Sequence, residues 1–188
     1  MRRMVSYGHS WVDGDGASTG ESCLASRVAD QLGLELHNRV VGGSTVTAAL
    51  VRADPPPPAV LYLLMTGLND LRLGGNAPSA LGQYSHALRT IFGAFRQAAA
   101  VAPVVAIAQP PLLDFSLHAP HNRGSNALVE AYNHELRRCA AEYPGVAVAE
   151  PADWDAGSML SADTVHPNDA GHSCLALAAV RAASAAWQ

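Results

Sequence analysis

Continuous apolar runs alternate along this chain with stretches in which apolar residues recur every three or four positions. The runs suit strands covered on both faces, and the three-to-four spacing marks one side of a helix. Arg3 to Gly8 reads as a first strand ending at glycine. Glu21 to Leu32 carries Leu24, Val28, Ala29 and Leu32 at helical spacing and is stopped by Gly33. Leu34 to Val41 reads as a second strand closed by Gly42-Gly43, and Thr45 to Arg52 as a short helix. The prolines from Pro55 to Pro58 form a stiff connector, because a third strand, Ala59 to Met65, begins at once. Gly67 to Pro78, rich in glycine and asparagine, is expected to be a loop.

A long helix is predicted over Ser79 to Ala100, with Leu81, Tyr84, Leu88, Ile91, Phe92 and Phe95 on one side. A fourth strand over Pro103 to Ala108 leads into a proline-containing loop, Gln109 to Gly124. Ser125 to Tyr143 reads as a helix with Ser125 as N-cap, followed by a short fifth strand, Val146 to Ala149. Pro151 to Val165 is expected to be irregular, and Asn168 to Trp187 to be the last, alanine-rich helix. Strict alternation of strand and helix, without internal repeats, predicts a single domain over residues 1–188: one five-stranded parallel sheet between helical layers. Ligands of such sheets bind beyond the C-terminal strand ends.

Composition narrows the function. All 12 basic residues are arginine. Lysine-dependent chemistry, in P-loop ATPases or Schiff-base enzymes, is thereby excluded. A net charge of −4 without a basic run argues against nucleic acid or an anionic membrane surface as partner. No apolar stretch follows Arg2-Arg3, so no secretory signal is read and a cytoplasmic location is expected. Cys23, Cys139 and Cys174 lack metal-ligand spacing and are expected to be reduced thiols. His118, His121 and His172 are read as solvated loop histidines, since no third or fourth ligand accompanies them; neither metal nor cofactor is expected. Asp13-Gly14-Asp15-Gly16 fails as a calcium loop, because Leu24 stands where the bidentate glutamate belongs. Gly14 to Gly20 misses a dinucleotide fingerprint by one position, and Val12 stands where a nucleophile elbow needs glycine.

The polar clusters that carry chemistry follow strand ends or precede the last helix. They are Gly8-His9-Ser10-Trp11, Val41-Gly42-Gly43-Ser44-Thr45, Thr66-Gly67-Leu68-Asn69-Asp70, and Asp163 through Asn168. A serine hydroxyl becomes a useful nucleophile only when a base takes its proton. His166 is the best base, and Asp163, three residues earlier, can accept its Nδ1 proton while Nε2 faces Ser10. The Ser10 and Gly43 amides and the Asn69 side chain can supply donors to an oxyanion, with Asp70 as structural support. Leu112, Leu113 and Phe115 are expected to wall the substrate pocket.

These four blocks resemble the SGNH hydrolases, also called GDSL-type esterases and lipases, and occur in that family's order across nearly the whole chain. The resemblance implies a flavodoxin-like three-layer α/β/α sandwich. It also implies Ser10 as nucleophile, His166 as base, Asp163 as its partner, and Gly43 and Asn69 as oxyanion donors. One residue departs from the pattern: His9 stands where the family usually has aspartate, which spares the triad but alters charge beside the nucleophile. The expected activity is hydrolysis of a small acyl ester through an acyl-enzyme. An acyltransferase using the same intermediate, and an inactive binding or accessory protein, are the alternatives.

Overall fold

The computed structural model describes residues 2–187. Five parallel strands, β1 (Arg3–Gly8), β2 (Glu35–Asn38), β3 (Leu61–Met65), β4 (Val104–Ile107) and β5 (Val146–Ala149), form one sheet in the order β2-β1-β3-β4-β5. That order is flavodoxin-like, and the chain reverses direction across the sheet after β2. β3 and β4 are wholly buried, whereas the edge strand β2 is largely exposed, as their apolar and mixed sequences require. Register runs Tyr7 to Leu64 and Gly8 to Met65.

The helices are α1 (Ser10–Asp13), α2 (Leu24–Gln31), α3 (Ser44–Ala53), α4 (Leu68–Gly74), α5 (Ala80–Ala98), α6 (Asn126–Ala140), α7 (Ala156–Met159) and α8 (Asp169–Ala186). α2 packs against α8 in one layer, and α3, α5 and α6 lie side by side in the other. Right-handed crossovers distribute them in this way, because α2 leads leftward from β1 while α3, α5 and α6 lead rightward. No helix among the described residues is long and apolar enough to cross a membrane.

Four expectations need correction. Gly67 to Pro78 is not all loop: α4 occupies its first half, burying Leu68 and Leu71. Its bounding glycines, Gly67 at φ 112° and Gly75 at φ 53°, cap a helix rather than disperse a loop. The second strand is only four residues long, since the chain past Asn38 turns back toward β1. The helix expected from Glu21 begins at Leu24, after a 3₁₀ turn over Gly20–Ser22. The stretch expected to be irregular before Val165 contains the single turn α7, capped by Asp155.

Candidate active site

Backbone hydrogen bonds draw the post-strand segments to one edge of the sheet. The Gly8 carbonyl accepts from Gly42 N at 2.9 Å and Val41 N at 3.3 Å, and His9 N donates to the Met65 carbonyl at 3.2 Å. Ser10 therefore sits beside the segments that lead to Gly43 and to Asn69. Glycine is required at position 8: φ is 148°, and a Cβ there would lie 2.0 Å from the Met65 oxygen. Asp70 ties the Gly43 and Asn69 segments together, accepting from Ser44 N at 2.8 Å and Ser44 Oγ at 2.6 Å. No hydrogen bond to another described residue engages the Gly43 amide or the Asn69 carboxamide.

The segment before α8 is held with more bonds. Asn168 caps α8 through Ala170 N and Gly171 N and donates to the Ser158 and Leu160 carbonyls. Thr164 adopts φ 64°, which folds the chain so that Asp163 Oδ1 accepts from Val165 N and His166 N, both at 2.9 Å. Ser161 Oγ adds a third bond to that oxygen at 2.7 Å. Asp163 Oδ2 lies 2.6 Å from His166 Nδ1, and His166 Nε2 lies 3.0 Å from Ser10 Oγ. Burial pushes the Asp163 carboxyl up, but its bonds from His166, Val165 and Ser161 outweigh this and hold it well below the usual carboxylate range. An ionised Asp163 accepts the Nδ1 proton, leaving Nε2 to accept from the Ser10 hydroxyl.

His9 is fully buried beside this serine. Its Nδ1 accepts from Trp11 N at 3.3 Å, capping the turn that carries Ser10. Burial pushes its pKa down to about 3, with Gln109 opposing and His166 and Arg72 reinforcing the shift. The neutral ring therefore places its proton on Nε2. Gln109 is close enough to influence His9, yet neither His9 Nε2 nor Gln109 Oε1 reaches hydrogen-bond geometry, so the pair is near contact rather than bonded.

A cavity of about 420 Å³ opens beside these two segments, lined by Gly43, Asn69, Val46, Leu73, His121 and Tyr132 among others. Leu112, Leu113 and Phe115 do not line it. Leu112 is buried in the core, Leu113 is exposed, and Phe115 packs at Gly124 near Leu71. Of the histidines read as solvated, His118 is an exposed loop residue as expected, whereas His121 is half-buried and His172 fully buried. His118 Nε2 donates to the Asp163 carbonyl at 3.0 Å, His121 lines the cavity, and His172 is buried in α8, bonded to Leu24 N and the Asp15 carbonyl. The three cysteines are free.

Three further groups at the site escaped sequence reasoning. Asp15 Oδ2 stands 3.7 Å from His166 Nε2. Arg72 on α4 is 5% exposed, with Nε and Nη2 unpartnered among the described residues, and its charge favours the ionised form of Asp163. Tyr132 lines the cavity with an unpartnered hydroxyl. The apolar pair Leu68 and Leu71 signalled α4 and hence Arg72, but nothing local distinguishes Tyr132 from an ordinary core position.

With this geometry in place, comparison with known proteins is decisive on one point. The model of the GDSL-like lipase/acylhydrolase family matches residues 6–174. The chain belongs to that family. It is accordingly a serine hydrolase of the GDSL type. No curated protein matches it. Solved structures share its fold at low identity. The salicylyl-acyltransferase SsfX3 from a tetracycline biosynthetic pathway is 20% identical with a TM-score of 0.74, over 98% of this chain and 54% of that one. This GDSL-type chain thus spans about half the length of SsfX3. A lipase from a goat rumen metagenome is 17% identical with a TM-score of 0.67, over 97% of both chains. Phospholipase A1 from Streptomyces albidoflavus is 16% identical with a TM-score of 0.66, over 96% of this chain and 98% of that one.

Proposed function

We propose that this GDSL-type protein hydrolyses small acyl esters through an acyl-enzyme on Ser10. The observation that carries the reading is the continuous path from Asp163 Oδ2 through His166 to Ser10 Oγ, at 2.6 and 3.0 Å. Ser10 Oγ attacks the ester carbonyl while His166 Nε2 takes its proton. The carbonyl oxygen becomes an oxyanion, for which the Ser10 and Gly43 amides and the Asn69 carboxamide are the donors. Collapse expels the alcohol, protonated by His166, and leaves the acyl group on Ser10. Water then attacks, giving its proton to His166, and the acid departs as Ser10 regains its hydrogen. Asp163 stays ionised throughout, orienting the ring and offsetting its positive charge. No metal or cofactor enters this sequence of steps, and its only partner is the small-molecule ester.

An acyltransferase would share every step up to the acyl-enzyme and differ in the final acceptor. A fluorophosphonate probe tests the nucleophile. Labelling of the wild type but not of Ser10→Ala is expected, and equal labelling of both contradicts the proposal. Product analysis with added alcohols or amines then separates hydrolysis from transfer.

A further inference from the structure

The leaving group of the proposed reaction has a defined side. His166 Nε2 must protonate the departing oxygen, so the alcohol lies against that nitrogen, and the acyl group lies toward Gly43, Asn69 and the cavity beyond them. No residue of the 161–168 segment lines that cavity. What stands on the alcohol side is the Asp15 carboxylate, 3.7 Å from Nε2 and 57% exposed.

Asp15 is held there by backbone on both flanks. Its N–H donates to the Ser10 carbonyl at 3.0 Å, and its carbonyl accepts from His172 Nε2 at 3.2 Å. Next to it, Gly16 is pressed onto the base: a Cβ there would lie 2.2 Å from the Pro167 oxygen and 3.0 Å from His166 Cβ. The carboxylate itself accepts no hydrogen bond from a described residue, and no arginine pairs with it within 4.0 Å. The ion pairs of the surface lie elsewhere, at Arg39, Arg89, Arg137, Arg138 and Arg181. The Asp15 backbone is anchored, and its Oδ2 stands 3.7 Å from the atom through which the alcohol must leave.

Charge bookkeeping along the reaction decides what it attracts. As Ser10 attacks, His166 becomes positive and Asp163 is negative, and the two form a neutral pair with Arg72 behind it on α4. Asp15 is then the one carboxylate besides Asp163 that stands within 4.0 Å of the His166 ring among the described residues. We propose that Asp15 is a specificity-determining residue that selects esters whose alcohol carries a cationic group, such as an amino alcohol or quaternary ammonium alcohol, and rejects those carrying an anion. This rests on the ester-hydrolase reading of the same site. In an acyl transfer, the same carboxylate would favour a cationic acceptor.

The test uses three esters of one acyl group that the wild type cleaves as its aryl ester: the choline ester, its uncharged tert-butyl isostere, and an ester of a sulfonate-bearing alcohol. For the wild type, kcat/KM is expected to fall in that order, by roughly three- to tenfold per unit of charge at low salt, as befits one exposed carboxylate. The steps should shrink at high ionic strength. In Asp15→Asn the three values should converge, and Asp15→Glu should restore part of the ranking. A wild type without the ranking, or a ranking that survives in Asp15→Asn, overturns the proposal while cleavage of the aryl ester leaves the hydrolase reading intact. Should Asp15→Asn not fold, the salt dependence of the wild-type ranking decides, and a ranking indifferent to salt overturns the proposal. Absence of aryl-ester cleavage together with absence of Ser10 labelling removes both readings.

Discussion

The two halves of the site differ in how their polar atoms are used. On the base side, Asp163 receives bonds from His166, Val165 and Ser161, and Asn168 anchors the same segment through four more. On the acyl side, the Gly43 amide, the Asn69 carboxamide and the Tyr132 hydroxyl bond to no other described residue. A proton path works best when its geometry is set before substrate arrives, so full satisfaction is what the base side needs. Donors meant for a substrate oxygen are useful only if no protein acceptor competes for them. On the proposed mechanism, satisfaction in one half and availability in the other are two parts of one preorganised site.

Breaking the base side should have the largest effect. Asp163→Asn removes the acceptor that sets the His166 tautomer, and kcat should fall by roughly 10⁴, measured on an aryl ester with little change in KM. Because the folded-state pKa of Asp163 is depressed, its contribution to stability is fully present above the ordinary carboxylate range and is lost as pH falls below that range and through the depressed folded-state value. Breaking the acyl side costs less. Asn69→Ala removes one of the three proposed oxyanion donors, and kcat should fall by about 10²–10³, again with KM nearly constant.

A third prediction concerns the buried ring beside the serine. His9 is neutral in the fold down to about pH 3, whereas in the unfolded chain it gains a proton below about 6.5. The unfolded state therefore binds more protons between those values, and stability falls as pH drops through that window. Buried His172, shifted down by desolvation, acts with the same sign. His9→Asn keeps a side-chain acceptor for Trp11 N but does not titrate. Urea unfolding at pH 7.5 and about pH 4.5 should show a smaller acid loss in this variant, by on the order of 1–3 kcal/mol; identical losses would show that His9 does not stay neutral.

The smallest effect sharpens the contrast between partnered and unpartnered groups. Tyr84 and Tyr132 pack as a tilted pair with ring centroids 4.7 Å apart, but the Tyr84 hydroxyl donates to the Thr66 carbonyl at 3.3 Å while that of Tyr132 has no partner among the described residues. Tyr132→Phe should therefore leave stability unchanged or raise it by about 1 kcal/mol, and Tyr84→Phe should lower it by about 1 kcal/mol. Thermal denaturation of the two variants checks the difference.

Much of this site is legible in the chain because its strongest constraints are local. Asp163 and His166 share one turn, Gly8 ends a strand of apolar residues, and the Asn69-Asp70 pair follows another. The strand and helix alternation likewise follows from spacing alone. What spacing does not reveal is where separate elements meet. Asp15 lies in a glycine-rich stretch that resembles a failed metal loop, and only the packing of Gly16 on Pro167 brings it to His166. Tyr132 shares an apolar helix face with Val129 and Leu136, and only the tertiary fold makes it a lining residue of the cavity. Gln109 to Gly124 was expected to build the pocket through its apolar residues. Its Leu112 serves the core instead, and the loop reaches the site through His118 and His121.

The central claim, a covalent intermediate on Ser10, is open to direct observation. Rapid acid quenching of the enzyme with an aryl ester, followed by peptide mass spectrometry, should show the acyl mass on the peptide containing Ser10 and its accumulation in Asn69→Ala or Asp163→Asn only to the extent that acylation outpaces release. Turnover with no acyl adduct at Ser10, or with the adduct on another residue, would contradict the account.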